Sequence, residues 1–155
     1  MVRAEIRPAT LADADALAPR MRQADRDEIW AASRQSPGDS LRNAVRASRQ
    51  PLAGVIDGEL ACLLGVVPQS TLGGTGAAWM LGSEVIERHP LVFLRHSRPA
   101  LAEIARGFNY LHNWVDARNT VAIRWLAWLG FTIHDPEPFG VFGMPFHHFE
   151  MRPHV

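Results

Sequence analysis

The sequence has no lysine and only one cysteine. All sixteen basic residues are arginines, and sixteen acidic residues balance them, so the formal net charge is zero. A chain without net positive charge lacks the overall field that is typical of proteins that bind nucleic acid or a membrane surface. The single cysteine, Cys62, lies in the apolar run ELACLLGVV, which predicts a buried and unreactive thiol. A lone cysteine also excludes a disulfide within the chain, as suits a reducing compartment.

Long apolar runs are scarce as well, and none reaches the ~20 residues that a membrane-spanning helix needs. The first residues, MVRAEIRPAT, have none of the apolar character of a secretory signal. We therefore expect a protein of the cytoplasm that is not secreted. Its 155 residues predict a single domain, 1–155, with a core large enough to be stable without disulfides.

The N-terminal half carries clear secondary-structure signals. Alternating apolar residues predict a strand over 2–7, and Thr10 follows as a helix cap with Asp13 placed to complete a capping box. Further on, an Asp-Gly turn separates two apolar arms, 52–56 and 59–67, and predicts an antiparallel hairpin.

Two more helices are predicted between the first helix and the hairpin. The stretch 25–33 predicts a helix with Ile29 and Trp30 facing inward, and Ser40 is placed to cap a helix over 41–48.

The C-terminal half alternates strands and helices. Strands are predicted over 77–83, 109–115, 131–135 and 146–152, with helices over 99–106 and 120–129. Ser97 or Arg98 would cap the first of these helices, with Pro99 in its first turn. This order of elements predicts a mixed α/β or α+β domain around one sheet.

The stretch NTVAIRWLAWLGF has a recognisable spacing, N-x-x-A, then seven residues, then G-F. The residues that carry it are Asn119, Ala122, Gly130 and Phe131. Together with the order of elements, this spacing resembles the GNAT acetyltransferase superfamily. A longer stretch, 79–134, is similar to a family of bacteriophage proteins described as GNAT-like or as internal virion proteins.

The resemblance implies a fold and a cofactor. The fold is a central mixed, mostly antiparallel sheet, flanked by helices and splayed in the middle. In active members of the superfamily acetyl-CoA lies in that splay, and its pantetheine arm pairs like a strand. Backbone amides at a helix N-terminus hold its pyrophosphate, as the helix dipole favours. Acetyl-CoA is therefore the cofactor that the resemblance implies for this chain.

The sequence departs from active members in two places. Their pyrophosphate loop has the form Q/R-x-x-G-x-G/A, whose glycines let the backbone wrap around phosphate, yet 84–103 contains no glycine. Active members also often place a tyrosine four residues before the glycine of the G-F pair, where it can act as a general acid. The matching residue here is Leu126. The loop sequence thus does not support ordinary acetyl-CoA binding.

A basic segment, 88–98, replaces the glycine loop and allows three interpretations. Arg95 and Arg98 could hold a phosphate group with their side chains. The segment could instead contact nucleic acid or an acidic protein. Finally, its apolar residues could pack into the core while its arginines stay solvated or ion-paired.

A general base has two candidates in the sequence. Glu84 is predicted near the end of the fourth strand, and His112 on the fifth, beside the splay that the resemblance implies. His112 could equally be a buried, hydrogen-bonded histidine. Asn119 could contact CoA, although asparagine is also a favoured helix N-cap.

No metal site is expected. His134, His147, His148 and His154 lie in the C-terminal part of the chain. The adjacent pair among them would point to opposite faces of a strand, and no cysteine or paired carboxylate completes a ligand set.

These observations predict a phage or prophage GNAT-fold protein whose acetyl-CoA chemistry is lost or altered, acting in the virion or in DNA delivery. Its partners would be other virion proteins and, through 88–98, nucleic acid, and an exposed edge strand at 146–152 would be a second contact surface. It would act in the host cytoplasm and then in the virion. The alternative is an acetyl-CoA-dependent N-acetyltransferase with a non-standard pyrophosphate-binding loop.

Overall fold

The computed structural model describes residues 1–70 and 72–153, which form one mixed sheet with helices on both faces. The strands are β1 (Ala4–Pro8), β2 (Leu52–Ile56), β3 (Glu59–Ser70), β4 (Thr75–Gly82), β5 (Tyr110–Asp116), β6 (Thr132–Phe139) and β7 (Met144–Met151). The helices are α1 (Leu11–Leu17), α2 (Gln23–Ser33), α3 (Pro37–Ala47), α4 (Val85–Arg88), α5 (Pro90–Ile104) and α6 (Thr120–Leu129). The strand order is β1-β2-β3-β4-β5-β7-β6, and of these pairs β4–β5 is parallel while the others are antiparallel. The predicted fold class is confirmed.

The two largest clusters of buried apolar residues in the described part of the chain lie on opposite faces of the sheet. On one face α1, α2 and α3 pack against β3, with Leu17, Leu41 and Leu63 fully buried. On the other face α5 and α6 cover the middle of the sheet, where Val66 and Leu111 are fully buried. Within the described residues, no helix is both long and apolar enough to cross a membrane.

Several local predictions are confirmed. Thr10 Oγ1 accepts a hydrogen bond from Asp13 N at 3.2 Å, and Asp13 Oδ2 accepts one from Thr10 N at 2.8 Å, which completes the capping box. The hairpin turns at Asp57 and Gly58, both with positive φ. Cys62 is buried, and burial raises the pKa of its thiol to about 12, so it is unreactive at neutral pH.

Two predictions about the N-terminal helices are wrong. α3 begins at Pro37, and Ser36 rather than Ser40 caps it, because proline favours the first helical position. On α2, Ile29 is buried as predicted, but Trp30 is 54% exposed.

α5 begins earlier than predicted. It starts at Pro90 and continues through Pro99, so Ser97 and Arg98 lie inside the helix instead of capping it. The apolar residues before Ser97 belong to this helix because Phe93 shares a face with the buried residues that follow it. Pro99 is tolerated since it lies on the exposed side.

The order of the last two strands also differs from the prediction. β7 lies between β5 and β6, so residues 146–152 do not form the exposed edge that was expected. The edge strand at this end of the sheet is β6, which contains Pro136 and Pro138. Prolines on an edge strand remove hydrogen-bond donors and so oppose pairing with another chain.

Candidate active site

The sheet opens between β4 and β5. The two strands pair only from Thr75 and Tyr110 to Ala77 and His112. Beyond Ala77 the strands diverge, and the side chain of Asn113 bridges the start of the gap by donating from Nδ2 to the carbonyl oxygen of Ala78 at 2.9 Å. The splay that the resemblance implies is therefore present.

A cavity of about 930 Å³ lies in this opening. Its lining is mostly apolar and comes from both diverging strands and from the helices on either side. Residues that face it include Ile29, Met80, Phe93, Trp114, Trp125 and Leu126. Its volume is at the upper end of the ~300–1,000 Å³ range of small-molecule sites.

Two carboxylates of α2 close the wide end of the opening. Gly82 N, at the end of β4, donates to Asp25 Oδ2 at 3.0 Å. Asp116 N, at the end of β5, donates to Glu28 Oε1 at 2.8 Å. Asp25 and Glu28 both line the cavity, so α2 bridges the two strands and presents acidic groups to the space between them.

The pKa of Glu28 lies far above its ordinary value. Burial is the largest cause and raises it to about 7, with the charges of Asp25 and Asp116 acting in the same direction. Burial also raises the pKa of Asp25, although the Arg22 guanidinium 3.3 Å away opposes the shift. A carboxyl group that titrates near neutral pH in a cavity has the property required of a general base.

Only one oxygen of Glu28 is engaged. Oε1 accepts from Asp116 N and, at 3.4 Å, from Asn119 Nδ2. Within residues 1–70 and 72–153, Oε2 has no hydrogen-bond partner. Glu28 therefore has a fixed orientation and one oxygen available to accept a proton.

Asn119 serves a different purpose from the predicted helix cap. Its side chain is buried and turns toward α2, where Nδ2 lies 3.5 Å from Asp25 Oδ1 and 3.4 Å from Glu28 Oε1. Its Oδ1 is buried and has no hydrogen-bond partner in the described part of the chain. Asn119 lines the cavity, so a ligand with a donor group could satisfy this oxygen.

The two predicted bases lie outside the cavity lining. Glu84 is exposed, and its carboxylate accepts from Arg20 Nη2 at 2.8 Å, a bond that lowers its pKa and makes it a weaker base. His112 contacts His148 Nε2 at 3.1 Å and Gln69 Oε1 at 2.5 Å, and burial lowers its pKa. The structure brings neither side chain to the opening between the strands.

The predicted phosphate ligands also lie away from the cavity. Arg95 is exposed in the middle of α5. Arg98 lies 4.1 Å from the ring centroid of Trp128 and donates to its carbonyl oxygen at 3.1 Å, where it caps the end of α6. Arg88 forms an ion pair with Glu59 at 3.0 Å. These contacts favour the interpretation in which the arginines of 88–98 are solvated or paired.

The amides in the turn directly after β4 are hydrogen-bonded within the chain. The amides of residues 86–89 donate to carbonyl oxygens within the turn 83–86, at 3.0 to 3.3 Å. Amides that are paired in this way do not converge on an external anion. Leu126, which replaces the expected tyrosine, is buried against the cavity, and Trp125 beside it donates from Nε1 to Ser97 Oγ at 3.1 Å.

Solved structures, acetyltransferases among them, share this fold. Ard1 from Thermoplasma volcanium is similar with a TM-score of 0.74 and 14% identity, over 96% of this chain and 97% of its own. The spermidine N-acetyltransferase from Vibrio cholerae, in complex with CoA and spermine, is similar with a TM-score of 0.69 and 13% identity, over 97% of this chain and 95% of its own. A GNAT-family acetyltransferase from Streptococcus pneumoniae is similar with a TM-score of 0.63 and 16% identity, over 97% of this chain and 99% of its own.

No protein-family profile matches the chain, and neither does any curated protein. The resemblance to GNAT proteins is thus confirmed as a likeness of fold. The closer likeness to a bacteriophage family stays a prediction.

Sequence reasoning missed Asp25 and Glu28. The available signal was their position on the buried face of α2, because Asp25 precedes the buried Ile29 by one helical turn and Glu28 lies beside it. Acidic residues on the apolar face of a helix rarely occur without a partner or a function.

Proposed function

We propose that this protein is an acetyl-CoA-dependent N-acetyltransferase in which Glu28 is the general base. One observation carries the proposal: Glu28, with its pKa of about 7, lines the cavity between the diverging strands β4 and β5. The shared fold supports it, since the similar Vibrio cholerae enzyme is a spermidine N-acetyltransferase that was solved with CoA and spermine.

The cavity suits the pantetheine arm of the donor. Ala78 O and Gly82 N both point into the opening. There Ala78 O accepts a hydrogen bond from Asn113 Nδ2, and Gly82 N donates one to Asp25 Oδ2. Because backbone groups alternate along a strand, the N–H and C=O of Met80 face the same opening. They can pair with the amides of a pantetheine arm as a further strand would, while Phe93 and Trp125 keep water away.

A bound thioester supplies an activated acyl group, and the residues of this chain prepare the amine that attacks it. Glu28 Oε2 accepts a proton from the amine, which leaves the nitrogen lone pair free to attack. Asp116 N and Asn119 Nδ2 hold Oε1 and thereby orient the carboxylate. Burial, with the charge of Asp25 acting in the same direction, keeps the pKa of Glu28 high enough for proton transfer near pH 7.

The pyrophosphate of CoA fits this structure less well than its pantetheine arm does. The amides of 86–89 are already paired. Arg124 on α6 lines the cavity and is exposed, so it is the side chain best placed to meet a phosphate group. We therefore expect the arm to contribute most of the donor's binding.

The test compares acetyl-CoA with acetyl-pantetheine, which lacks the ADP part, on a panel of polyamines and N-terminal peptides. We expect kcat/KM for the two donors to agree within about tenfold, and to rise with pH through about 7 as Glu28 deprotonates. Glu28→Gln should lower kcat by about 100-fold or more and remove the rise with pH. Asp27→Asn, an exposed carboxylate of the same helix, is the matched control.

Binding is measured separately, through the fluorescence of Trp79 and Trp125, which line the cavity. If neither donor changes this fluorescence at millimolar concentration, the proposal is wrong. If Glu28→Gln keeps full activity, the assignment of the base is wrong.

A second candidate is a GNAT-fold binding protein without transfer activity. The paired amides of 86–89 and the buried Leu126 favour it, because both replace groups that active members use. Donor binding without turnover of any amine would support this candidate. The virion and nucleic-acid partners predicted from the sequence belong to it and stay predictions.

A further inference from the structure

Histidines from three strands meet on the face of the sheet opposite α5 and α6. His112 comes from β5, His134 from β6, and His148 from β7, which also supplies Glu150. One ligand atom from each of His134, His148 and Glu150 lies within 4.8 Å of the other two. The cluster is separate from the cavity lining.

A β-bulge brings His134 into the cluster. The register between β6 and β7 shifts by one residue between Ile133 and Pro136, so two residues of β6 lie opposite His148. The imidazole ring of His134 then stacks on that of His148 with centroids 5.6 Å apart. A bulge cannot be read from the alternation of residues, so the sequence pattern does not predict this set. His147 points away, and His154 lies outside the described residues.

The hydrogen bonds leave an unprotonated nitrogen facing a carboxylate. Gln69 presents its carbonyl oxygen to His112, so Nε2 of His112 carries a proton and its Nδ1 does not. That Nδ1 accepts from His148 Nε2 at 3.1 Å. In this neutral tautomer the Nδ1 of His148 carries no proton, and it lies 3.8 Å from Glu150 Oε2. The same oxygen is hydrogen-bonded to His134 Nε2, so both imidazoles meet at one carboxylate oxygen.

The remaining contacts orient the other ligands. His134 Nε2 lies 2.5 Å from the same oxygen, Glu150 Oε2. The second oxygen, Oε1, accepts from the hydroxyl group of Tyr110 at 3.2 Å. Such outer hydrogen bonds fix the tautomer and orientation of metal ligands.

We propose that His134 Nε2, His148 Nδ1 and Glu150 Oε2 bind a divalent transition-metal ion of the zinc class. Two neutral imidazoles and one carboxylate suit Zn²⁺ and leave a fourth position for water. Tetrahedral bonds of about 2.0 Å put ligand atoms about 3.3 Å apart. That spacing lies between the 2.5 and 3.8 Å now seen. Entry is open because the side chains of His134 and Glu150 are 47% and 34% exposed.

The ion would tie the edge strand β6 to β7 at the bulge. The ladder is weakest there, because Pro136 has no N–H to donate. The site would thus hold the edge of the sheet in register, independently of any transfer reaction.

The test uses the full chain without a polyhistidine tag. Calorimetry with Zn²⁺ should show one ion per chain at micromolar affinity or better, and Co²⁺ should give the visible absorption of a four-coordinate site. His134→Ala and Glu150→Gln should each weaken binding by about 100-fold or more, and His112→Phe, which acts through His148, by about 10- to 100-fold. His96→Gln, on α5 across the sheet, should change nothing.

Circular dichroism confirms that each variant is folded. The proposal is overturned if Zn²⁺ does not bind stoichiometrically at micromolar concentration. It is also overturned if Glu150→Gln binds as tightly as the wild type, since the ion would then occupy another site.

Discussion

Glu28→Gln should stabilise the protein at high pH, although it should also abolish activity. The folded state raises the pKa of Glu28 from 4.5 to about 7. An acid whose pKa is raised by folding is penalised only when it ionises, so the penalty is absent below pH 4.5 and complete above pH 7. At about 1.4 kcal/mol per pKa unit, the full penalty is about 3 kcal/mol. Glutamine removes the charge and still offers an oxygen to Asp116 N.

The expected gain in the free energy of unfolding is therefore small at pH 5, about 1 kcal/mol, and rises to about 3 kcal/mol at pH 9. Urea denaturation followed by tryptophan fluorescence at both pH values measures it. Asp27→Asn, at an exposed position of the same helix, is the control for removing a carboxylate from α2.

A gain that is the same at pH 5 and pH 9 would refute the reasoning, because it would show that the Glu28 carboxyl titrates alike in the folded and unfolded chain. A loss at both pH values would show that Glu28 acts mainly as a structural link to β5. Stabilisation joined to loss of activity is the pattern expected of a residue kept for function.

Two further predictions concern stability. The Arg7 guanidinium, together with hydrogen bonds from Thr10, holds the pKa of Asp13 down at about 2, against an ordinary 3.8, so the contacts of ionised Asp13 contribute about 2 kcal/mol above pH 4. This contribution disappears as the pH falls from 4 to 2, and acid denaturation should show Asp13→Asn and the wild type converging near pH 2. Gly76→Ala should lower the free energy of unfolding by about 1–3 kcal/mol, because its Cβ would clash with Val66 and would also press on Phe108. A Gly76→Ala variant with the same Tm as the wild type would contradict this prediction.

The fold was predictable because its signals are local. The capping box of Thr10, the Asp-Gly turn of the hairpin and the Gly130 stop of α6 each depend on a few neighbouring residues. The start of α5 was not predictable, because a proline such as Pro99 is typical of the first turn of a helix, whereas α5 begins at Pro90. The contacts of Asn119 with α2 were not predictable either, since an asparagine that caps a helix and one that bonds to a distant helix look identical in sequence.

The candidate site escaped prediction for a related reason. Asp25 and Glu28 lie about ninety residues from Asn119 and Asp116 in the chain, and only the sheet brings them together. The position of Glu84 near a strand end predicts a general base. Its neighbour Arg20, however, comes from another part of the fold and lowers the pKa of Glu84. Strand order likewise decided that His112 faces the metal-site cluster and not the opening.

The two departures from active GNAT proteins act on opposite ends of the donor. Residues 86–89 would meet its pyrophosphate, and Leu126 replaces the tyrosine that would meet its sulfur. Under the proposed function, the part between them, the pantetheine arm, would face the diverging strands, the backbone of Met80 and the apolar walls. Selection of the donor should therefore depend on the arm. Under the proposed function, Leu126 gives no proton to the departing sulfur, and Glu28 would be the residue that takes a proton from the acceptor amine.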